Sequence, residues 1–358
     1  MKLSTFSTLL LFLVSAIAIY SIVPLLPFLE AKFHTSLTTL ALVISLGWVG
    51  GAIGGVIIGA LSDSYGRRLM LFISILIFGI STLLSYFITS VYLLFITWFL
   101  VGFGVNGENG ISYAIVAETL KGGRGTIGGF MQGLYFAGYL LSLILALTRF
   151  SFLIVGILAL VLSPLSFTMS ESSRKGFRPF SNLKEINVRL AIVSSLLAIS
   201  AFLYTVPFVS LLPTLFEELH VSYSILIIAS LIGIIFYTLS GYISDIIGRK
   251  RTSIIFSIIA ILAGVIFYSL LHSILFPFTV FLVFLGSSFF SYLGVWISEL
   301  YPPKLRATGN NLSFLLGRII GGGFGVALVT LLPFTLSSNL AIILISCGLI
   351  ALISSILL

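Results

Sequence analysis

The chain has 358 residues, 59% of them hydrophobic and only 8% charged, with a mean hydropathy of +1.25. A soluble domain carries roughly a quarter of its residues as charges, so most of this chain's surface must face lipid. The net charge of +8 would suit nucleic acid, but the basic residues are scattered between apolar runs, as charges that orient membrane helices are. The single cysteine, Cys347, excludes an intramolecular disulfide framework.

A bilayer core of about 30 Å takes roughly 20 apolar helical residues to cross. The first such run follows Lys2 and covers 4–29. Its Ala16-Ile17-Ala18 resembles a signal-peptide cleavage site, but the run outlasts a signal core, so it reads as an uncleaved first span. Further spans are expected at 36–61, 69–89, 91–117, 125–148, 151–169, 188–215, 222–243, 252–272, 274–298, 308–332 and 337–357. Fifteen of the 18 basic residues fall at Lys2, in the connections after even-numbered spans or, as Arg189, at the edge of the longest of them. The rule that basic loops stay inside puts both termini in the cytoplasm of a plasma-membrane protein. The longest connection, 170–187, carries Arg174, Lys175, Arg178 and Lys184 and reads as a linker between six-span halves at 1–169 and 188–358.

The halves repeat. Gly59-x-x-Ser62-Asp63-x-x-Gly66-Arg67-Arg68 recurs as Gly241-x-x-Ser244-Asp245-x-x-Gly248-Arg249-Lys250, every position shifted by 182. The same shift carries Arg124-Gly125-Thr126 onto Arg306-Ala307-Thr308. The paired glycines allow tight passage from one helix to the next. Asp63 stands where the positive end of a neighbouring helix could meet it, with the arginines that follow to hold it.

This paired motif resembles the signature loop of major facilitator transporters. Gly107-Glu108-Asn109-Gly110, Glu118, Arg124-Gly125, Phe130-Met131-Gln132 and Gly138 resemble the metabolite:proton symporters of that superfamily. Glu299-Leu300-Tyr301-Pro302, Leu305 to Gly309 and Gly317-Arg318-Ile319 resemble its organic- and aromatic-acid symporters. The resemblance implies an all-α membrane protein, twelve transmembrane helices in two pseudo-symmetric six-helix bundles, working by alternating access. Two positions depart from the relatives. Thr97-Trp98 stands where related chains often have an arginine, and span 1 has no charge between Lys2 and Glu30.

Charges inside the membrane are costly unless they face a cavity or a partner, so they mark candidate sites. Glu108 lies ten residues from Glu118, about 15 Å deep, and Arg318 eleven beyond Ala307, about 16 Å deep. Glu108 is expected to carry the coupling proton, because burial disfavours the charged carboxylate. Arg318, on a face shared with Asn311, is expected to receive an anionic group. Gly128, Gln132, Tyr135 and Tyr139 form a polar and aromatic stripe on span 5. Asp63, Gly66, Arg67, Arg68, Asp245, Gly248, Arg249, Glu118, Arg124, Glu299 and Arg306 form the expected conformational latch. Glycines at 50, 51, 54, 55 and 59, and at 317, 321 and 325, read as faces for close helix packing.

Residues 102–107 match a dinucleotide-binding pattern, but they lie in an apolar helix with no strand before them. There is no Gly-Lys-Ser/Thr phosphate loop, no His-Glu-x-x-His and no Gly-x-Ser-x-Gly, so neither an ATP-driven pump nor an enzyme is expected, nor any metal or cofactor. The expected protein is a monomeric, proton-coupled symporter of a small organic anion or related metabolite, without nucleic-acid partners. A sugar transporter, a drug or metabolite exporter, and a non-transporting membrane sensor are the alternatives.

Overall fold

The computed structural model describes residues 3–169, 185–222 and 224–358. These residues form α1 (Leu3–Tyr20), α2 (Leu26–Phe33), α3 (Leu37–Tyr65), α4 (Arg67–Phe87), α5 (Val91–Thr119), α6 (Arg124–Ala146), α7 (Ser151–Leu162), α8 (Val188–Glu218), α9 (Ser224–Ile247), α10 (Arg249–Ser269), α11 (Phe276–Gly286), α12 (Leu293–Leu300), α13 (Arg306–Leu316), α14 (Gly325–Leu331) and α15 (Leu336–Leu357). No strand occurs among the described residues, as expected of lipid-embedded backbone, which must satisfy its own hydrogen bonds. Among the described residues eleven helical stretches are long and apolar enough to cross a bilayer, and a bent pair over Pro303–Gly323 and Gly325–Leu331 raises the number to twelve. The expected linker residues 170–184, with Arg174, Lys175, Arg178 and Lys184, lie outside the described residues.

Each expected span meets helix, but two boundaries differ from the hydropathy reading. The stretches 62–68 and 244–251 are not loops. Only Gly66 and Gly248 stand between α3 and α4 and between α9 and α10, at φ 116° and 93°. Those angles suit a residue without a Cβ. Hydropathy marks where hydrocarbon ends, whereas these helices run past that point, carrying Asp63 and Asp245 on their last turns and Arg67 and Arg249 at the start of the next helices. Elsewhere side chains cap the starts: Ser36 accepts from the Thr39 N–H at 3.2 Å and Ser90 from the Tyr92 N–H at 3.3 Å.

The helices gather into two compact units that do not follow the chain halves. Unit 1 holds Met1–Lys121, Leu134–Ile186 and Ile297–Leu315, and unit 2 holds Gly122–Gly133, Asn187–Trp296 and Leu316–Leu358. The first part of α6 thus belongs to unit 2, while nearly all of α13 belongs to unit 1.

Unit 1 is built on the crossing of α3 and α5. Lipid tails are as apolar as the side chains, so tight packing, not exclusion from water, must hold such helices together. Glycines supply the approach: a Cβ on Gly50 would meet the Phe99 backbone, one on Gly54 the Phe103 backbone, and one on Gly102 would fall inside the Gly47 backbone. Around this crossing Phe12, Leu71, Phe78 and Trp98 are fully buried. In unit 2, α8 receives Gly317, Gly321 and Gly325 against Ala198, Phe202, Leu203 and Pro207. Gly264 and Gly348 let α10 and α15 meet through Ile345 and Ile261. Buried hydroxyls return to their own helices, as Thr82 does to the Phe78 carbonyl at 2.7 Å and Ser257 to the Ser253 carbonyl at 2.7 Å. Ile80, Leu84, Ile235, Leu262 and Ile353 point outward as a lipid face.

Gly102→Leu is expected to abolish the folded protein, because a side chain there has backbone on its far side and an overpacked core costs about 1–3 kcal/mol or more. Leu100→Phe, on an exposed position of the same helix, should leave yield and melting temperature near the parent's. Size-exclusion profiles and thermal unfolding of both variants in detergent test this; a monodisperse Gly102→Leu protein would contradict the packing described.

Candidate functional site

Three groups of polar residues stand out inside the helices. The first is a carboxylate set on a helix start, built twice. In unit 1, Asp63 Oδ2 accepts the Thr308 N–H at 2.8 Å and the Thr308 hydroxyl at 2.6 Å, and Oδ1 lies 3.4 Å from the Ala307 nitrogen. These donors form the first turn of α13, where unused N–H groups and the helix dipole favour an anion. Arg67, the first residue of α4, pairs with Asp63, donates to Ser62 at 3.0 Å and reaches Glu118 Oε1 at 3.0 Å. In unit 2, Asp245 accepts the Gly125 and Thr126 N–H groups at 2.8 Å each and the Thr126 hydroxyl at 2.7 Å, at the start of α6. Arg249 closes that set on Asp245 and Ser244, both at 2.7 Å. Each partner is displaced by 182 from its counterpart.

The copies are unequal. The Asp63 and Arg67 side chains are 3% and 2% exposed, against 16% and 14% for Asp245 and Arg249. Glu118, with Arg306 3.9 Å from it, adds a second acid in unit 1, whereas the repeat places Leu300 at the corresponding position of the other half. Arg68 turns to the Met169 carbonyl and takes no place in the Asp63 set. Arg124 opens α6 and Glu299 lies near the end of α12, both half-buried.

The second group surrounds Glu108, which is 0% exposed midway along α5. Its Oε2 lies 2.9 Å from the Ser15 hydroxyl of α1, and Ser112, one turn on, donates to Oε1. Among the described residues of unit 1 no lysine or arginine stands at ion-pair distance from it. Beside it, Asn109 bonds the Tyr135 hydroxyl of α6. The Tyr135 ring lies 5.4 Å from Phe12 and 6.0 Å from Tyr20, edge to face, and Tyr20 lies 5.6 Å from Tyr139. The structure therefore brings Glu108, Tyr135 and Tyr139 into one aromatic-walled neighbourhood. Gln132 is buried in the part of α6 that belongs to unit 2.

Asn311 is fully buried in unit 1, wedged where a Cβ on Gly59 or Gly110 would strike it, and its amide returns to the Ala307 carbonyl at 3.1 Å. It packs three helices together there, while Arg318 belongs to unit 2. Arg318, 1% exposed, sits in the third group, a widened π-helical turn over Gly317–Gly323. Such turns are rare and recur at functional sites. Hydropathy reading cannot see this break, because apart from Arg318 its residues stay apolar or are glycine. The available signal is Gly321-Gly322-Gly323, since each interior glycine costs a helix about 1 kcal/mol relative to alanine. Ser112 was legible as the fourth residue after Glu108; Ser15 left no signal in an apolar span. The Thr97-Trp98 departure is filled locally: Ser85 donates to the Thr97 hydroxyl at 2.8 Å and Trp98 is fully buried.

The family model described as Major Facilitator Superfamily matches residues 8–326. The chain belongs to the major facilitator superfamily. It is a multi-pass membrane transporter of small molecules, not an enzyme. It is 28% identical over 315 residues to a probable 4-methylmuconolactone transporter of Cupriavidus pinatubonensis, covering 80% of this chain and 72% of that one. To the sialic acid transporter NanX of Escherichia coli it is 26% identical over 306 residues, 77% of this chain and 74% of the other. In fold it matches the proton:xylose symporter XylE with a TM-score of 0.81, at 18% identity, over 99% of this chain and 94% of XylE.

The inequality of the two acid sets has a measurable consequence. Removing one partner of a buried ion pair costs about 3–5 kcal/mol, and less where water reaches the partner left behind. Asp63→Ala should therefore lower the melting temperature clearly more than Asp245→Ala. Equal losses would show that burial does not separate the two.

Proposed function

We propose that this transporter is a proton-coupled symporter of a small organic anion or related metabolite, working by alternating access in the plasma membrane as a monomer with both termini cytoplasmic. The observation that carries the proposal is Glu108. It is an acid on a membrane-spanning helix, fully buried, held by two hydroxyls and by no cation among the described residues of its own unit. An uncompensated carboxylate in such a place costs several kcal/mol, whereas a carboxylic acid is accommodated by the same hydroxyls. A group that must take a proton to sit there and lose it to water is suited to coupling. Arg318 serves the substrate: a buried guanidinium at a widened turn offers the planar, two-pronged donor geometry that fits a carboxylate. The Asp63 and Asp245 sets hold the helix starts that the transport cycle must release. The acid named in one relative, NanX, agrees with an anionic substrate.

The sugar reading is favoured by one feature, the wall of Tyr20, Tyr135 and Tyr139 with the Asn109 amide beside it, which suits ring stacking and hydroxyl contacts. Arg318 separates the two readings. With an anionic substrate, Arg318→Ala should lose binding at least tenfold and Arg318→Lys should recover part of it. Binding of a panel of labelled carboxylates and neutral sugars to the three proteins measures this, and tight binding retained by Arg318→Ala would move the assignment to sugars.

Glu108→Gln keeps the shape of the side chain but cannot carry a proton. In proteoliposomes it is expected to abolish accumulation driven by an imposed pH gradient while sparing exchange of labelled for unlabelled substrate. Accumulation that survives with only a pH difference supplied would place the coupling group elsewhere.

A further inference from the structure

The Ser15 hydroxyl stands among three acceptors and has one hydrogen to give. The Phe12 carbonyl lies at 2.8 Å, Glu108 Oε2 at 2.9 Å and Asn109 Oδ1 at 3.5 Å. A carbonyl or an amide oxygen cannot donate in return, whereas a carboxyl group can, but only when it holds a proton. Two arrangements follow. With Glu108 protonated, its O–H donates to Ser15 Oγ, and the Ser15 hydrogen serves the Phe12 carbonyl, one turn back in α1. With Glu108 ionised, the Ser15 hydrogen must turn to the carboxylate, and its bond to the Phe12 carbonyl is given up. A serine bonded back to its own helix bends that helix slightly, so making and breaking this bond changes α1 at Phe12. The Phe12 ring packs edge to face on Tyr113 at 5.6 Å and on Tyr135 at 5.4 Å. Tyr135 is also the residue that Asn109 bonds.

We propose that Ser15 is a positioning residue that transmits the proton state of Glu108 to the aromatic wall of Phe12, Tyr113 and Tyr135, through a hydroxyl that serves the Phe12 carbonyl in one state and the carboxylate in the other. The inference rests on the proton-carrying reading of Glu108 and adds the route by which that proton is felt. Other titratable groups do not supply the route. Among the helices around α5 in unit 1, α1 carries no charged residue among its described positions. The part of α6 in unit 1 carries none either. Helix α3 carries only Asp63, and α4 carries Arg67 and Arg68. Glu118 on α5 itself and Glu299, Lys304 and Arg306 on the segment Ile297–Leu315 belong with the Asp63 end of the unit. The titratable neighbours of Glu108 and Phe12 along these helices are tyrosines: Tyr20, Tyr113, Tyr135 and Tyr139.

The test needs no substrate. Infrared difference spectra of the purified full chain in lipid, recorded between acidic and alkaline buffer, report the carboxylic-acid carbonyl band and the tyrosine ring bands together. The parent should show both changes, and Glu108→Gln should lose both. Ser15→Ala and Ser15→Val should keep a carboxylic-acid band, shifted by the lost hydrogen bond, but lose the tyrosine response. Ser15→Thr, which matches valine in shape and restores the hydroxyl, should recover the response. Ser112→Ala, which removes the other hydroxyl without touching α1, should retain it. If the acid band persists in Glu108→Gln, the proton-carrying reading itself fails. If Glu108→Gln abolishes the tyrosine response while Ser15→Ala and Ser15→Val leave it at the parent's size, Glu108 keeps its role and the Ser15 route is overturned.

Discussion

A carboxylate laid across the first turn of a helix is the contact on which this structure turns. Asp63 takes two N–H groups and a hydroxyl from α13, and that bond places a segment from the second half of the chain inside the unit built by the first. Asp245 does the same for the start of α6 in unit 2. Neither helix start has an acidic residue of its own in its first turn; the orphan donors are met by an acid from another helix. The glycines follow from this contact. A Cβ on Gly59 would come 2.8 Å from the Ala307 carbonyl, and Gly241, its counterpart by repeat, meets the Gly125 backbone. The acid can reach the helix start only because the helix carrying it has no side chain one turn earlier.

Much of this was legible because the repeat is written in polar residues that a membrane protein can place in few ways. Apolar runs set the number of spans, and the shift of 182 paired Asp63 with Asp245 and the Arg124 start with the Arg306 start. What escaped was geometry inside apolar helix. Hydropathy placed the ends of α3 and α9 several residues early, because a helix that leaves the hydrocarbon does not have to stop there. The π turn at Gly317–Gly323 and the 3-10 turn at Ser287–Phe290 replace one backbone hydrogen-bond pattern with another, and a count of apolar residues is blind to that exchange. Asn311 shows the limit from the other side: helical spacing put it on a face with Arg318, but spacing does not say which neighbour that face meets.

Those breaks make the two sequence halves unequal. In the repeat, Ser287–Phe290 corresponds to residues 105–108 and Gly317–Gly323 to residues 135–141, both within unbroken helix in α5 and α6. Lipid-embedded backbone gives up regular hydrogen bonds only where protein or water can replace them. The first half thus keeps these two helices whole and places an acid, Glu108, in one of them. The second half puts Phe290 at the position matching Glu108 and interrupts both counterpart helices, one of them at Arg318. One repeated plan carries two different chemistries.

The same division separates the acids of unit 1. Asp63 and Glu108 are both nearly or wholly removed from water, and their surroundings could hardly differ more. Asp63 has an arginine, two backbone N–H groups and a helix dipole, all of which favour the ionised form, and only one group, the Thr308 hydroxyl, that could reverse its hydrogen bond. Glu108 has two hydroxyls, groups that donate to a carboxylate and accept from a carboxylic acid equally well. An acid held mainly by donors that cannot reverse serves as a fastening. An acid surrounded by groups that can reverse their hydrogen bonds has two states of similar fit, and the difference between those states is available to the helix that contributes the hydroxyl. In a chain with so few charges, the partner given to each acid decides whether it holds the structure or moves it.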